Sequence, residues 1–345
     1  QTFPIIPMVK VLVKENLLKV VSVNDIMNII ESFLKMWGFY PMQEKLQEIL
    51  EQARAVTAQG TVASYIPKLA EADPNQLGAY IMDVSGNGFG AGDWEKRVTI
   101  QSIVKVAVFV LALIDCPKDR LLQKISLNAT AEGFNSIVDL EIKNKHKPLN
   151  PYINSGAIAC IGLLGGDVQG RFGRVYDLLC RLTANESLRV DEEVYLSEKH
   201  TGDRNRAIAY FMKSTGILED NVEEVLDVYF RLCSIKVNCR DLAVFSATLA
   251  NGGVNPLSGE TVAPRRACRT ALTVMASCGL YDESGDFLVR TGMPGKSGVG
   301  GGIMTAVPHT LGIGVIGPAL NERGNSIGGI EVLARLSEEF DLSIL

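Results

Sequence analysis

Residues 100–114 read IQSIVKVAVFVLALI and decide the fold, because they place Ser102 and Lys105 three positions apart on a predicted buried helix. Side chains at this spacing share one helix face. A lysine in an apolar wall tends to lose its proton, and a neutral lysine can act as the base for a serine hydroxyl. An S-x-x-K tetrapeptide also arises by chance about once in a chain of this composition, so it predicts a catalytic site only together with a second motif.

The second motif is Lys296-Ser297-Gly298 within GMPGKSGVGGGIM, on a predicted strand. A K-[ST]-G triplet on a strand, downstream of S-x-x-K on a helix, is the order found in serine enzymes with the penicillin-recognising fold. Glycine lets a substrate carbonyl approach backbone N–H groups closely. The triplet does not continue a phosphate loop, since Arg290 stands where that motif needs glycine. The two motifs together favour a serine enzyme with a lysine base.

The order of the predicted elements indicates the fold class. A β-hairpin is expected within residues 77–102, helices through 116–265, β structure again in FLVRTG, GIMTAV and TLGIGVIG, and a terminal helix over 325–340. The sequence therefore predicts an α+β, β-lactamase/penicillin-binding-protein-like fold, with an antiparallel sheet flanked by helices and an inserted helical subdomain. Gly86-x-Gly88-x-x-Ala91 is not a dinucleotide fingerprint, because a further strand rather than a helix follows it.

The predicted organisation is a helical N-terminal extension of unknown role over 1–41 and a catalytic domain over 42–345. Within that domain we expect a sheet subdomain at about 58–105 and 266–345 and a helical subdomain at about 106–265.

Composition narrows the class of protein. The 345 residues are 47% hydrophobic and 21% charged, and the net charge of -5 gives no electrostatic reason to expect nucleic acid or an anionic membrane. The apolar run 106–114 is too short to span a bilayer, and Lys10, Lys14 and Lys19 interrupt the pattern that a signal peptide needs. Seven cysteines without C-x-x-C predict reduced thiols in a cytoplasmic protein.

The three histidines, His146, His200 and His309, are far apart in sequence. They form no metal-binding motif, so no metal is expected. They also stand in contexts that look exposed, and no serine lies in G-x-S-x-G, which argues against a Ser-His-Asp triad. Lysine is the better candidate for the base.

From about residue 65 to 329 the chain resembles the serine-dependent glutaminase family, which includes bacterial enzymes and the catalytic domain of animal mitochondrial ones. The matching stretches are SYIPKLA, GDWEKRVTIQSIVKV, GFNSIVDLE, NPYINSGAI, SEKHTGDRNRAIAY, DVYFRLCSI, LANGGVNPLSGE, CGLYDESGDF, GMPGKSGVGGGI and GNSIGG. The resemblance implies hydrolysis of L-glutamine to L-glutamate and ammonia through a glutamyl-serine intermediate, with no cofactor. A homodimer or homotetramer is expected.

The resemblance also implies roles for individual residues. Ser102 would be the nucleophile and Lys105 its base, while Tyr281, or less favourably Tyr229, would relay a proton to the leaving nitrogen. The backbone N–H groups of Ser102 and Val299 would form an oxyanion hole. The positions expected to bind substrate are Tyr65, Ser102, Asn154, Glu198, Asn205, Tyr229, Tyr281 and Val299.

Chemistry agrees with this assignment. A zwitterionic amino acid needs a carboxylate for its ammonium, which Glu198 supplies, and amide or hydroxyl donors for its carboxylate, which Asn154, Asn205 and Tyr229 supply. The base must be neutral when Ser102 attacks. Burial, and a like charge on Lys296 if it lies opposite, are expected to lower the pKa of Lys105.

Other interpretations stay open at this point. Glu198 and Asn205, seven positions apart on one predicted helix face, suit a solvated surface, and Tyr229 and Tyr281 suit packing positions. Another serine amidase or a penicillin-recognising hydrolase would share both motifs, and a non-enzymatic interaction protein would leave them inert. The loop NATAEGFNS departs from the Glu-Pro pattern of many relatives, which leaves the shape of the lid over the site open.

Overall fold

The computed structural model describes residues 42–142 and 144–345, and the predicted helical extension over 1–41 lies outside them. Residues Leu46–Leu345 form one compact unit. The first helix of the described residues, α1, covers 42–57 and buries Leu46, Ile49, Leu50 and Ala53. Since the unit is continuous, the division into a sheet subdomain and a helical subdomain stays a prediction.

Two antiparallel sheets organise the unit. In chain order the strands are β1 (Gly78–Asp83), β2 (Gly88–Gly92), β3 (Val98–Thr99), β4 (Arg189–Val190), β5 (Ile235–Val237), β6 (Gly295–Ser297), β7 (Gly302–Val307) and β8 (Leu311–Ile316). The larger sheet has the order β2-β1-β8-β7-β6, and the smaller has the order β3-β5-β4. A hairpin does lie within residues 77–102, but its second strand was predicted wrongly: the glycine-rich Gly88–Gly92, expected to connect two strands, is itself β2 and pairs with β1. The run expected to be the second strand forms β3 and pairs with β5 in the smaller sheet. Strands from both ends of the unit build the larger sheet, as predicted.

The helices fill the middle of the chain and flank the larger sheet. They are α2 (Val104–Asp115), α3 (Lys118–Lys124), α4 (Val138–Ile142), α5 (Asn154–Leu163), α6 (Val168–Thr183), α7 (Glu192–Thr201), α8 (Asp203–Ser214), α9 (Val222–Cys233), α10 (Cys239–Ala250), α11 (Arg265–Cys278), α12 (Ser284–Thr291) and α13 (Ile327–Phe340). Single 3₁₀ turns cover Pro67–Glu71, Gln101–Ile103, Asn144–His146 and Tyr281–Glu283.

Helix α10 lies closely against strand β8. A Cβ added at Gly312 would lie 2.2 Å from Ala247 N, and one at Gly314 would lie 2.2 Å from Cys239 O. Only glycine allows this separation, because any larger side chain would push the helix off the sheet. The neighbouring Ile313 and Val315 point to the opposite face, where α13 packs. The sheet thus has a helix on each side.

The segment FLVRTG was predicted to be a strand, and this prediction is wrong. It belongs to helix α12, in which Phe287 and Thr291 are buried while Val289 is 89% exposed. The four-residue spacing of the buried positions is helical, and Gly292 ends the helix at φ 61°. Three consecutive apolar residues do not distinguish a strand from a short helix.

Candidate active site

Ser102 lies in the 3₁₀ turn Gln101–Ile103, which continues directly into α2. Every residue of α2 from Val104 to Ala112 is buried, so the helix holds the serine against the core. The preceding Gln101 has φ 48°, a left-handed conformation that is costly for a residue with a Cβ. Strained backbone of this kind persists where surrounding contacts impose it, and it is frequent beside catalytic groups.

Lys105 lies on the first turn of α2 and is fully buried. Its Nζ donates to Asn154 Oδ1 at 2.6 Å and to the carbonyl oxygen of Tyr152 at 3.3 Å. Burial lowers the pKa of Lys105 to about 8, and Cys233 and Glu198 partly offset this effect. Both acceptors are uncharged, so they accept from the neutral amine as well as from the ammonium.

Lys296 was expected to lower the pKa of Lys105. Instead, beyond the effect of burial, the charge of Lys105 lowers the pKa of Lys296. Lys296 is fully buried, and its Nζ donates to the carbonyl oxygens of Gly279 and Ser297 at 2.9 and 2.6 Å. Burial, followed by the charge of Lys105, lowers the pKa of Lys296 well below its usual value. Among the causes that change the pKa of Lys105, burial is the one that lowers it.

A chain of amide and hydroxyl groups continues from Lys105. Asn154 Oδ1 also accepts from Tyr229 Oη at 3.2 Å, and Asn154 Nδ2 donates to Asn205 Oδ1 at 2.8 Å. Asn154 and Tyr229 are buried and Asn205 is half-buried. The Nδ2 group of Asn205 has no hydrogen-bond partner within the described part of the chain, which leaves it free to donate to a ligand.

Glu198 is a buried carboxylate on α7, with only 6% of its surface exposed. Its Oε1 accepts from Gln101 Nε2 at 2.8 Å. Burial raises the pKa of Glu198 to about 7, although the hydrogen bond from Gln101 and the charge of Lys105 lower it. A buried carboxylate next to a cleft is suited to bind a cation.

Glu198 and Asn205 were expected on one helix, and this expectation is wrong. Glu198 lies on α7 and Asn205 on α8, with Gly202 between the two helices. A Cβ at Gly202 would lie 2.5 Å from the ring of Phe230, so α9 packs closely against the break between the two helices. Glu198 and Asn205 line the same cleft from two successive helices.

Tyr281 begins a 3₁₀ turn with φ 56°, the second left-handed residue at the site. Its hydroxyl is buried and has no hydrogen-bond partner among the described residues. Burial raises the pKa of Tyr281 to about 12, while the nearby hydroxyls of Ser102 and Ser297 lower it. The ring lies 4.6 Å from that of Phe134, and Lys296 Nζ lies 4.6 Å from its centroid.

The turn that follows β6 lies against the 3₁₀ turn that carries Ser102. A Cβ at Gly298 would lie 2.8 Å from the carbonyl oxygen of Ile100 and 3.3 Å from Ser102 N. The next residue, Val299, is buried and packs in one apolar cluster with Tyr281. The two predicted oxyanion donors, Ser102 and Val299, thus belong to segments in contact.

One cleft collects most of the predicted site residues. Tyr65 lies at its mouth, 54% exposed, with its ring 6.4 Å from Phe134. The lining residues are Tyr65, Ile66, Gln101, Ser102, Phe134, Asn135, Asn154, Glu198, Thr201, Gly202, Arg204, Asn205, Tyr229 and Cys233. Lys105, Tyr281 and Val299 are outside the lining but contact or influence residues within it.

Phe134 and Gln101 also line the cleft, although neither was predicted to belong to the site. Phe134 lies between Tyr65 and Tyr281, and its carbonyl oxygen accepts from Asn154 N at 2.9 Å. Its only signal was its place in GFNSIVDLE, one of the stretches that carry the resemblance. Gln101 likewise lies in GDWEKRVTIQSIVKV, another of these stretches, but its positive φ cannot be inferred from residue type.

Two further observations concern the described residues alone. They contain no cluster of three or more His, Cys, Asp or Glu side chains that could hold a metal ion. No helix in the described ranges is long and apolar enough to cross a membrane.

Comparison with known proteins places this site in a family. The profile of the Glutaminase family matches residues 60–345. A glutaminase of Clostridium tetani is 50% identical over 304 residues, which is 88% of this chain and 99% of the relative.

Solved structures give the same result. A Bacillus glutaminase crystallised in the presence of 4.3 M NaCl matches with a TM-score of 0.82 at 36% identity, over 88% of this chain and 99% of that chain. A Bacillus subtilis glutaminase in covalent complex with 5-oxo-L-norleucine, formed by reaction with 6-diazo-5-oxo-L-norleucine, matches with a TM-score of 0.80 at 34% identity, over 88% and 99%. The predicted α+β, β-lactamase-like fold is confirmed, and the chain belongs to the glutaminase family.

Proposed function

We propose that this glutaminase hydrolyses L-glutamine to L-glutamate and ammonia through a glutamyl-serine intermediate on Ser102. The observation that carries the proposal is the fully buried Lys105, one helical turn from a serine at a cleft, with a pKa lowered to about 8. A lysine that loses its proton near neutrality can accept one from a serine hydroxyl.

In the first step Ser102 Oγ forms a bond to the side-chain carboxamide carbon, and its proton passes to Lys105. The backbone N–H groups of Ser102 and Val299 stabilise the negative charge on the carboxamide oxygen. The proton held by Lys105 then reaches the amide nitrogen, the C–N bond breaks and ammonia leaves. Water attacks the ester by the same path and releases glutamate.

Tyr281 is the better placed of the two tyrosines for relaying that proton. Its hydroxyl is free of hydrogen bonds to described residues and is close enough to Ser102 for the serine to lower its pKa. Tyr229 instead donates to Asn154 Oδ1, which engages its only proton. Tyr229 is assigned to substrate binding, through the Asn154–Asn205 chain.

Replacing Tyr281 with Phe is expected to lower kcat about 10²-fold while leaving KM for glutamine within a factor of about three, because the relay acts only in the transition state. Steady-state kinetics of Tyr281→Phe and Tyr229→Phe measure the difference. Tyr229→Phe should mainly raise KM. The relay assignment fails if Tyr229→Phe shows the larger fall in kcat.

Glu198 is proposed to bind the α-ammonium of glutamine. Replacing it with Gln is expected to reduce kcat/KM for glutamine about 10²-fold, mostly through KM, since a charge-assisted hydrogen bond becomes a neutral one. Glutaramate is glutamine with the α-ammonium replaced by hydrogen. The kcat/KM for glutaramate should fall less than about threefold in the same variant. Equal losses on both amides would make Glu198 a structural residue.

Two measurements test the proposed intermediate. 6-Diazo-5-oxo-L-norleucine, which forms a covalent complex with the Bacillus subtilis relative, should add one adduct to the peptide that contains Ser102, detected by mass spectrometry. A coupled ammonia assay on glutamine and asparagine gives turnover and amide preference. The penicillin-recognising alternative predicts hydrolysis of a chromogenic cephalosporin, and we expect none.

We also propose that the enzyme acts in the cytoplasm as a homodimer or homotetramer. The seven cysteines are all unpaired thiols and six of them are buried, which suits a reducing compartment. Light scattering of the purified protein measures the assembly directly. A monomer at all protein concentrations would contradict this part of the proposal.

A further inference from the structure

Gln101 is a buried side chain that the proposed reaction does not use. It is 3% exposed, its backbone holds a left-handed φ of 48°, and it immediately precedes the nucleophile. A glutamine placed in this conformation and sealed from water needs partners for its amide. Those partners connect three parts of the site.

The first connection runs to the ammonium site. Gln101 Nε2 donates to Glu198 Oε1 at 2.8 Å and to Thr99 Oγ1 at 3.2 Å. Both protons of the amide nitrogen are therefore used. The bond to Glu198 holds one carboxylate oxygen and leaves the other, Oε2, without a partner among the residues described, so it is available to a ligand in the cleft.

The second connection runs to the turn that carries Val299. A Cβ at Gly298 would lie 3.3 Å from Gln101 Cβ, and a Cβ at Gly300 would lie 3.4 Å from Gln101 Cγ. The aliphatic part of Gln101 thus packs on the residues on either side of Val299. Its backbone sets the position of Ser102, so one residue contacts the nucleophile turn, the oxyanion turn and the ammonium acceptor.

We propose that Gln101 is a positioning residue for recognition of the substrate ammonium, acting through Glu198. It fixes the carboxylate so that Oε2 faces the substrate while the attacked carboxamide lies over Ser102. An amide without an α-ammonium does not use this contact, so Gln101 contributes to specificity for amino acids over simple amides. This inference rests on the proposed role of Glu198.

The test replaces Gln101 with Met, which keeps the length of the side chain and removes its hydrogen bonds. We expect KM for glutamine to rise about tenfold with kcat within about twofold, because the lost bond acts in both the ground state and the transition state. The kcat/KM for glutaramate should stay within about twofold of the parent value. A residue that only supported the fold would affect both amides alike.

Two further variants make the result decisive. Gln101→Asn accepts a positive φ readily but is too short to reach Glu198, so it should show the same split even if Met strains the turn. Gln76→Met, at a buried glutamine whose Nε2 has no partner in the described ranges, is the matched control and should behave as the parent. Thermal melting of each variant identifies any loss of folding.

A double-mutant cycle separates the two proposals. In a Glu198→Gln background, adding Gln101→Met should cause no further loss on glutamine. If Glu198→Gln lowers kcat/KM for glutamine more than for glutaramate while Gln101→Met and Gln101→Asn lower both equally, the inference about Gln101 is overturned and the role of Glu198 stands. If Glu198→Gln itself affects both amides equally, both are overturned.

Discussion

Replacing Ser102 with Ala is expected to reduce glutamine turnover by at least about 10⁴-fold, the range found when the nucleophile of a serine hydrolase is removed. The two nearest tyrosine candidates are poor substitutes: burial raises the pKa of Tyr281 to about 12, and the hydroxyl of Tyr229 donates to Asn154. The coupled ammonia assay, run at high enzyme concentration, measures the residual rate.

Folding should be nearly unaffected by this change. Removing one small hydroxyl opens little space in the core, so the unfolding midpoint should stay within about 2 °C. Ser155→Ala is a matched control, since Ser155 is also buried and its Oγ has no described partner. Turnover near the parent rate in Ser102→Ala would remove Ser102 as the nucleophile, whatever its effect on stability.

The second large effect concerns the protonation of Lys105. Its pKa of about 8 lies below the usual value because burial disfavours the ammonium. The neutral amine is the active form, and it becomes dominant as pH rises through the pKa. We therefore expect kcat/KM, which reports the groups of the free enzyme, to rise about tenfold per pH unit below this value and to level off above it. Stopped-time ammonia measurements between mildly acidic and mildly alkaline pH give the profile.

Lys105→Arg should be inactive at every pH in this range, because a guanidinium is not deprotonated. Lys105→Met, uncharged and similar in length, should also be inactive, and it controls for any disturbance from the larger group. We expect losses of at least about 10³-fold in both. An arginine variant with substantial activity would exclude Lys105 as the base and assign that role to Tyr281.

Glu198 adds a separate pH effect that appears in KM. Its pKa of about 7 means that the carboxylate loses its charge as pH falls through that value. The ammonium of glutamine then loses its partner, so KM for glutamine should rise below pH 7 while KM for glutaramate does not. The two titrations are distinguishable because kcat/KM for glutaramate should follow Lys105 alone, whereas kcat/KM for glutamine should follow both groups.

Much of the fold followed from the sequence because its signals are local. Strand β1 and the buried helix after Ser102 depend on apolar runs that act over a few residues. The glycine-rich Gly88–Gly92 was expected to be a connection, because glycine is typical of turns, yet it pairs with β1 as strand β2. The apolar run in FLVRTG was too short to distinguish a strand from helix α12. The break at Gly202 depends on contact with Phe230 from another helix, which no local pattern records.

The same contrast between local signals and contacts across the chain applies to the residues of the site. Ser102 and Lys105 followed from their spacing, whereas the positions of Asn154, Glu198 and Tyr229 followed from a family resemblance. Gln101 and Phe134 were missed, since their places depend on a left-handed backbone and on aromatic contacts across the chain. Such features arise from tertiary packing, which overrides local preference.

The close contact between β8 and α10 has a consequence for how this enzyme tolerates variation. Gly312 and Gly314 have no part in the proposed reaction. A methyl group at either position would nevertheless lie 2.2 Å from a backbone atom of α10, so substitution there should disturb the fold. A mutational scan scored by activity alone would rank these glycines with Ser102, because loss of folded protein and loss of catalysis both lower the activity. Scoring protein abundance alongside activity separates the two groups, and libraries meant to alter substrate range are best confined to the cleft while β8 is kept unchanged.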